Sequence, residues 1–326
     1  MACPKIVIYP CSSQTKDTLT GSFPGVYNTA FAYCHSRSGP LSQVDQFESV
    51  FRSALKDVYS YEPVTIGPVL LVTDLDDRQA RSYRQKIQGF LHQSRGMDQA
   101  DYFLVCGSDF ETTEDLLKVV ERYQPGLILT YRNLHSRAWR FPHSLGEHLD
   151  VLLQKTRVPV MVLPHPEAGY EAAHAFQDTS EIMVVTDLLA MNDRLVNYAA
   201  AFSQPAGNLY LSHVEDKRIF ERYMDAIGRI DVIDTDLARK RLKEQLLKEP
   251  EDYFHSCALA LKQEFPRLNV LSMVCFGELV EEYRHQIESR KLDLLVLSAK
   301  DERQHAMHSV AYPLAVELRQ IPLLML

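Results

Sequence analysis

The sequence predicts an α/β fold in which a parallel sheet is built twice along the chain. Short, wholly apolar segments of strand length alternate with helical patterns, which is typical of a buried parallel sheet with helices on both faces. Each half of the chain closes on an apolar segment that begins with a proline at its second residue, at 158–164 and at 321–326. A similar series of strands and helices precedes each closing segment, so we interpret the chain as one domain duplicated and diverged.

The second copy has the clearer strands. A helix after its first strand stops at Pro205 and Gly207, as helices commonly do. A long charged stretch from Arg218 to Pro266 is helical by composition and interrupted at Pro250, which predicts two helices or one kinked helix covering the sheet. No heptad repeat lasts long enough for a coiled coil. The five predicted strands are EIMVVTD (181–187), NLYLSHV (208–214), NVLSMVC (269–275), DLLVLSA (293–299) and IPLLML (321–326).

The first copy has two candidates for its first strand, KIVIYP at 5–10 and VLLVTD at 69–74. VLLVTD looks more like EIMVVTD, but the spacing favours KIVIYP. When Cys106 is aligned with Cys275, VLLVTD ends only 32 residues before Cys106, which is too short for a helix, a strand and a second helix. We therefore predict VLLVTDLDD as the second strand, followed by the helix ARSYRQKIQGFLHQ.

Length and composition fit two domains, which we place at 1–165 and 181–326 with a linker at 166–180. A net charge of -8 argues against nucleic-acid binding. No segment is apolar over a membrane-spanning length, and MACPKIVIYP does not resemble a signal peptide, so we expect a cytoplasmic protein without membrane attachment. The six cysteines have no CxxC spacing, which indicates thiols without a disulfide framework or zinc site.

The chain resembles a tandem universal stress protein, with two domains of that family in one polypeptide. The resemblance covers nearly the whole chain and is strongest at PGLIL followed by SLGEHLDVLLQKTRVPVMVLP, and at DLLVLSA followed by HSVAYPLAVELRQIPLLML. It implies two Rossmann-like domains of the adenine-nucleotide α-hydrolase type, each with an open five-stranded parallel sheet. It also implies that the two last strands pair as an intrachain pseudo-dimer. Such a strand series alone also fits flavodoxin-like and response-regulator domains.

The resemblance directs attention to an ATP site, because ATP-binding members carry an acidic residue after the first strand and a Gly-x2-Gly-x9-Gly-Ser/Thr loop after the fourth. The glycines let backbone amides approach the phosphates. In copy one, Tyr131 and Leu134 occupy the first two glycine positions, and Gly146 is followed by Glu147, whose carboxylate would repel phosphate. KIVIYP also lacks the acidic residue. ATP binding is therefore disfavoured in copy one.

Copy two retains part of the pattern. Asp187 ends EIMVVTD at the acidic position, although such a residue also caps turns. Ser298 and Asp301 replace the first two glycines, and Ser309 fits the end of the motif. The residual nucleotide-binding candidates are Asp187, Thr186, Ser298 and Ser309. We expect no cofactor, with ATP as the disfavoured possibility.

The loop of copy one is basic, with Arg132, Arg137 and Arg140 near the only tryptophan, Trp139. Arginines beside an aromatic ring are able to hold a small anion by bidentate contacts and stacking, but a loop folded over an obsolete pocket with Trp139 as its plug is favoured. The histidines complete no zinc spacing. We find no GxSxG, HExxH or P-loop motif, and we predict no enzyme.

The sequence therefore predicts a non-catalytic stress-response binding or regulatory module with degenerate nucleotide pockets, acting on an unidentified protein partner or small anionic ligand. One alternative is an ATP-binding universal stress protein with weak ATPase activity in the C-terminal domain. A second alternative is an anion or metabolite sensor built on the arginine-rich loop. Further homodimerisation of the pseudo-dimer stays open.

Overall fold

The computed structural model describes residues 58–97, 100–141, 143–186, 192–299 and 311–326. Within these ranges the strands are β1 (Val69–Val72), β2 (Tyr102–Val105), β3 (Leu127–Tyr131), β4 (Val160–Leu163), β5 (Glu181–Val185), β6 (Asn208–Asp216), β7 (Asn269–Gly277), β8 (Leu294–Leu297) and β9 (Leu323–Met325). The helices are α1 (Asp77–Leu91), α2 (Thr113–Tyr123), α3 (Glu147–Lys155), α4 (Asp193–Phe202), α5 (Lys217–Ile227), α6 (Thr235–Glu264), α7 (Leu279–Arg290) and α8 (Ala311–Glu317).

All nine described strands form one sheet in the order β2-β1-β3-β4-β9-β8-β5-β6-β7. Neighbouring strands in the described part of the chain are parallel except for β4 and β9, which pair in antiparallel register, Val160 with Met325 and Val162 with Leu323. We call β1 to β4 the first half and β5 to β9 the second half. The predicted α/β class is confirmed, and the two closing strands pair within one chain. Because of this antiparallel pair, the carboxyl ends of the two sets of strands lie at opposite edges of the sheet.

The sheet order corrects the sequence interpretation of the first copy. β1, which is VLLVTD, pairs directly with β3, with Val69 opposite Leu127. β5 pairs with β8 in the same way, with Ile182 opposite Leu294. VLLVTD is therefore the counterpart of EIMVVTD, and its prediction as a second strand is wrong. The competing candidate at 5–10 lies outside the described residues.

Aligning Cys106 with Cys275 matched two strands by their order in the sequence, but these strands occupy different places in the sheet. β2, which ends just before Cys106, pairs with β1 from Val69 opposite Tyr102. In the second half this place beside the first strand belongs to β6, and β7 lies beyond it. The short segment between β1 and β2 contains one α-helix, α1. β2 then pairs directly with β1. The described first half thus has four strands, one fewer than expected, and the second half has the expected five.

Local sequence accounts for the helices that flank the sheet. α1 is the predicted helix, and it begins after Asp76, whose carboxylate accepts a hydrogen bond from the backbone of Gln79 at 2.8 Å. α2 begins with a capping box formed by Thr112 and Asp115. Its buried positions recur at helical spacing and face the sheet. The strands β1, β3, β4, β8 and β9 are buried along their whole length, as their apolar sequences predicted.

The charged stretch of the second half forms two helices, α5 and α6. α6 is a single helix of 30 residues that contains Pro250, so the interruption predicted there does not end it. Its buried side chains, including Phe254, Cys257 and Leu261, contribute to the main core, as expected for a cover over the sheet. Among the described helices, none has the length and apolar character needed to cross a membrane.

Candidate functional site

Two threonines mark equivalent positions at the ends of β1 and β5. Thr73 donates its backbone N–H and its hydroxyl to the carbonyl of Val105 on the neighbouring strand, at 3.0 and 3.3 Å. Thr186 does the same to the carbonyl of Ser212, at 2.9 and 3.1 Å. Both side chains are buried. Matching hydrogen bonds and matching register make the next residues, Asp74 and Asp187, equivalent in the two halves.

Asp74 is the functional candidate that the sequence analysis missed. It occupies in the first half the acidic position that we had expected to be lost. The signal was present, since VTD ends both VLLVTD and EIMVVTD, but the spacing argument outweighed it. Asp187 lies outside the described residues.

The carboxylate of Asp74 is hydrogen-bonded by its own half of the chain. The hydroxyl of Tyr131 donates to Oδ1, and the backbone N–H of His135 donates to Oδ2 at 2.8 Å. The Asp74 backbone N–H also donates to the Tyr131 hydroxyl at 3.1 Å. Burial, followed by the charge of Asp74, raises the pKa of Tyr131 far above its ordinary value. Tyr131 is therefore a protonated donor at all physiological pH values.

The strand register identifies the counterpart of Tyr131. Leu127 of β3 and Leu294 of β8 hold equivalent positions, so Tyr131 corresponds to Ser298. These are the residues that the sequence analysis set at the first glycine position of the loop. The Tyr131 ring is fully buried at this edge of the sheet, whereas Ser298 is a much smaller, half-buried residue.

Aromatic rings continue from Tyr131 towards the surface. His165, just after β4, has its ring centroid 4.7 Å from that of Tyr131 and 4.7 Å from that of Trp139, on which it stacks at 23°. Burial lowers the pKa of His165 to about 4, against an opposing effect of Asp74, so the imidazole is neutral at physiological pH. Trp139 is half-buried, and its carbonyl accepts from Arg319 Nη1 at 3.3 Å. The Trp139 side chain therefore packs over the end of the sheet, beside the residue that follows β4.

Gly146 is explained by contacts within the chain. Its φ is +87°, and a Cβ built on it would lie 2.7 Å from the Cα of Asn133. The Asn133 N–H donates to the carbonyl of Leu145 at 2.9 Å, which holds the two segments together. A side chain at position 146 would force this loop apart. The close approach of Asn133 thus requires glycine at position 146, independently of any ligand.

The three arginines predicted for an anion do not converge. Arg132 is buried, and it donates from Nε to the carbonyl of Ala315 at 2.7 Å and from Nη2 to the carbonyl of Leu318 at 3.0 Å. These carbonyls lie at the carboxyl end of α8, where a cation is favoured. Burial lowers the pKa of Arg132 to about 10, which leaves it charged at neutral pH. Arg137 and Arg140 are exposed, and the guanidinium of Arg140 lies 5.3 Å from the ring centroid of Trp139.

The second half presents two of its four candidates in the described residues, Thr186 and Ser298. Each lies two residues beyond the pair Val184 and Val296 on adjacent parallel strands. They are therefore neighbours at the carboxyl edge of the second half, where α/β sheets bind ligands. The buried ring of His213 has Nδ1 3.2 Å from the carbonyl oxygen of Thr186. Ser309 lies outside the described residues.

The described ranges contain no group of three or more His, Cys, Asp or Glu side chains placed to hold a metal ion. His135 and His148, from the loop and from α3, lie with ring centroids 5.5 Å apart. Both rings contact Phe110, at 4.7 and 5.5 Å. The two histidines thus belong to an aromatic cluster.

Comparison with known proteins gave matches among solved structures. No protein-family model matches the chain, and no curated protein matches it. The chain is similar to a universal stress protein from Archaeoglobus fulgidus DSM 4304, with a TM-score of 0.39 and 14% identity over 79% of this chain and 84% of the other. It is also similar to a protein of unknown function from Pseudomonas aeruginosa PAO1, with a TM-score of 0.39 and 9% identity over 89% of each chain.

Proposed function

We propose that the chain is a non-catalytic binding or regulatory protein of the universal stress type whose first nucleotide position is closed by the chain itself. The supporting observation is the hydrogen bonding of Asp74, whose two carboxylate oxygens accept from the Tyr131 hydroxyl and the His135 backbone. Both carboxylate oxygens of Asp74 are thus already hydrogen-bonded within the chain, and the fully buried Tyr131 ring lies beside them.

Displacement would be costly. A ligand that displaced the Tyr131 hydroxyl from Asp74 would leave that buried hydroxyl unpaired, at a cost of about 1–3 kcal/mol. The Tyr131 ring would also have to leave its packing against Tyr83 and His165, whose centroids lie 5.9 and 4.7 Å away. These costs support a first half that acts as a structural partner of the second half and binds no nucleotide.

The test is calorimetric titration of the full chain with ATP, with and without magnesium, in three forms: wild type, Asp74→Ala and Asp187→Ala. We expect no binding up to about 1 mM ATP, corresponding to an affinity weaker than about -4 kcal/mol. Micromolar binding abolished by Asp74→Ala contradicts the closed first half. A parallel assay of phosphate release from ATP tests the absence of catalysis, and turnover lost in either variant contradicts it.

ATP binding by the second half is the alternative favoured by one observation. Ser298 occupies the place of Tyr131, and a serine side chain is too small to fill that volume. Thr186 and Ser298 would then contribute to a ligand site together with Asp187 and Ser309, which lie outside the described residues. Micromolar binding retained in Asp74→Ala and lost in Asp187→Ala identifies this function.

One observation supports the alternative in which the arginine-rich loop binds a small anion. Arg132 Nη1 is buried and has no hydrogen-bond partner among the described residues. Arg137 and Arg140 are exposed and carry positive charge in the same loop. A change in Trp139 fluorescence with phosphate or a dicarboxylate, lost in Arg137→Gln with Arg140→Gln, identifies the sensor.

A further inference from the structure

The second half carries a helical hairpin that extends from the sheet. Between β6 and β7 the chain forms α5 and α6, and β7 has no counterpart among the described strands of the first half. β6 and β7 are nine residues long, against four for β2, and they carry the hairpin beyond the other strands. A small apolar cluster of Phe220, Met224 and Phe276 packs α5 against the end of β7, and it is separate from the main core.

Large apolar side chains are exposed along α5, in the connection that follows it and in the first turn of α6. Val232, in the connection between the two helices, is 92% exposed, and Tyr223 on α5 is 62% exposed. An apolar surface of this kind with a polar rim is typical of an interaction site. We call the six exposed apolar residues of this region the hairpin tip: Ile219, Tyr223, Ile230, Val232, Ile233 and Leu237.

Charges of both signs surround the hairpin tip. Residues 217–237 contain four basic and five acidic side chains, so the region is close to neutral. Arg222 and Arg229 are exposed next to Asp225 and Asp231. A strongly anionic partner, such as nucleic acid or an anionic membrane, would meet repulsion from the aspartates, and a strongly cationic partner would meet repulsion from the arginines. A surface that carries charges of both signs suits a partner whose surface also carries both signs.

We propose that the hairpin tip pairs with the hairpin tip of a second copy of the chain in a twofold homodimer. In such a contact the same patch faces itself, so its arginines face its own aspartates across the axis. The aliphatic residues fill the centre, and Tyr223 and Arg222 are residue types enriched in interfaces. A salt bridge between Arg239 and Glu221, at 2.7 Å, joins α6 to α5.

Sedimentation velocity of the full chain from about 1 to 100 μM tests this homodimer, since that range covers dissociation constants typical of modest interfaces. We expect a dimer in the wild type and at least about a tenfold weaker association in Val232→Asp. Val232 is so exposed that the substitution leaves the fold intact, which circular dichroism checks. The matched control is Leu259→Asp, which adds the same charge at an exposed α6 residue outside the hairpin tip and is expected to dimerise as the wild type does.

Two results would overturn the homodimer. A wild-type chain that stays monomeric at the highest concentration excludes it, and a dimer of equal strength in Val232→Asp moves the contact elsewhere. Sedimentation of the monomeric wild type with phosphatidylserine vesicles, abolished by Val232→Asp, would assign the tip to a membrane surface. The sedimentation test does not involve ATP, so its result is independent of whether the chain binds nucleotide.

Discussion

The two halves close the same corner of the sheet differently. In the first half Tyr131 ends β3 and donates to Asp74 at the end of β1, and its ring is fully buried. In the second half the corresponding residue is Ser298, beside Thr186 at the end of β5. One side chain therefore satisfies the acidic residue and fills its surroundings in one half, and the other half has no such side chain at that position. The position that we aligned with the first glycine of a ligand loop thus holds an aromatic residue that makes a structural contact.

The halves also differ in how they support each other. Arg132, the residue after Tyr131, reaches the carboxyl end of α8 in the second half. Its counterpart by register is Ala299, which has no side chain able to reciprocate. The loop of the first half thus supports a helix of the second half through a side chain that Ala299 lacks.

Arg132→Met should have the largest effect. The substitution keeps most of the side-chain length and leaves two buried carbonyls at the end of α8 without donors, so we expect a loss of about 3 kcal/mol in the free energy of unfolding. Urea denaturation followed by circular dichroism measures it. Arg137→Met, at an exposed position in the same loop, is the control and should change stability by less than about 0.5 kcal/mol. Equal effects for the two variants would contradict the support that Arg132 gives to α8.

Asp293 should make the second half sensitive to pH. It precedes β8 where Gly126 precedes β3, and its Oδ2 accepts from the Glu181 N–H at 2.8 Å and the Ser180 hydroxyl at 3.3 Å. Burial raises the pKa of Asp293 to about 7, above its unfolded value of about 3.9. The folded state therefore binds this proton more tightly. The contribution is complete below about pH 4 and is lost as the pH rises to about 7.

Asp293→Asn measures that contribution, because the amide imitates the protonated acid and does not titrate. We expect the difference in unfolding free energy between variant and wild type to grow by about 2 kcal/mol from pH 5 to pH 7, in favour of the variant. His165 titrates in both proteins and cancels in the difference. Urea titrations at pH 5, 6 and 7 suffice, and a difference that does not change with pH would show that Asp293 is ionised throughout.

Tyr131→Phe tests the closure of the first half directly. Removing the hydroxyl leaves one oxygen of the Asp74 carboxylate without its donor, and we expect a loss of about 1–2 kcal/mol in unfolding free energy. The control is Tyr170→Phe, since the Tyr170 hydroxyl is buried without a hydrogen-bond partner among the described residues. Its removal should be neutral or stabilising. If both variants lose the same stability, the Asp74 bond contributes nothing specific.

The sequence predicted the strands well, because segments such as LILTY of β3 and VMVL of β4 are apolar throughout and end at prolines or polar loops. It predicted the closing pair of β4 and β9 through a family resemblance. It misplaced β1, because the spacing argument assumed that the strands ending near Cys106 and Cys275 are equivalent. In the described residues, one strand lies between β1 and β3 and two lie between β5 and β8. Having one strand fewer shortens the spacing in the same way as misassigning a strand, and periodicity does not distinguish the two.

The contacts of the candidate site could not be predicted from local sequence patterns, because they join residues that are far apart in the sequence. Tyr131 and Asp74 are 57 residues apart, and Arg132 and Ala315 are 183 apart. The basic loop around Trp139 suggested a single anion-binding surface, but burial separates Arg132 from the exposed Arg137. Which arginine turns inward depends on where α8 ends, and this is a property of the assembled sheet.

The smallest expected effect tests the equivalence on which the comparison rests. Thr73→Val and Thr186→Val each remove one buried hydroxyl that donates to a carbonyl of the adjacent strand, while keeping the shape of the side chain. We expect each to cost about 1 kcal/mol in urea denaturation, and the two costs to agree within about 0.5 kcal/mol. Because the sites share no partner, the double variant should lose the sum of the two. Unequal losses would mean that the ends of β1 and β5 are held differently, and the assignment of Asp74 as the counterpart of Asp187 would lose its support.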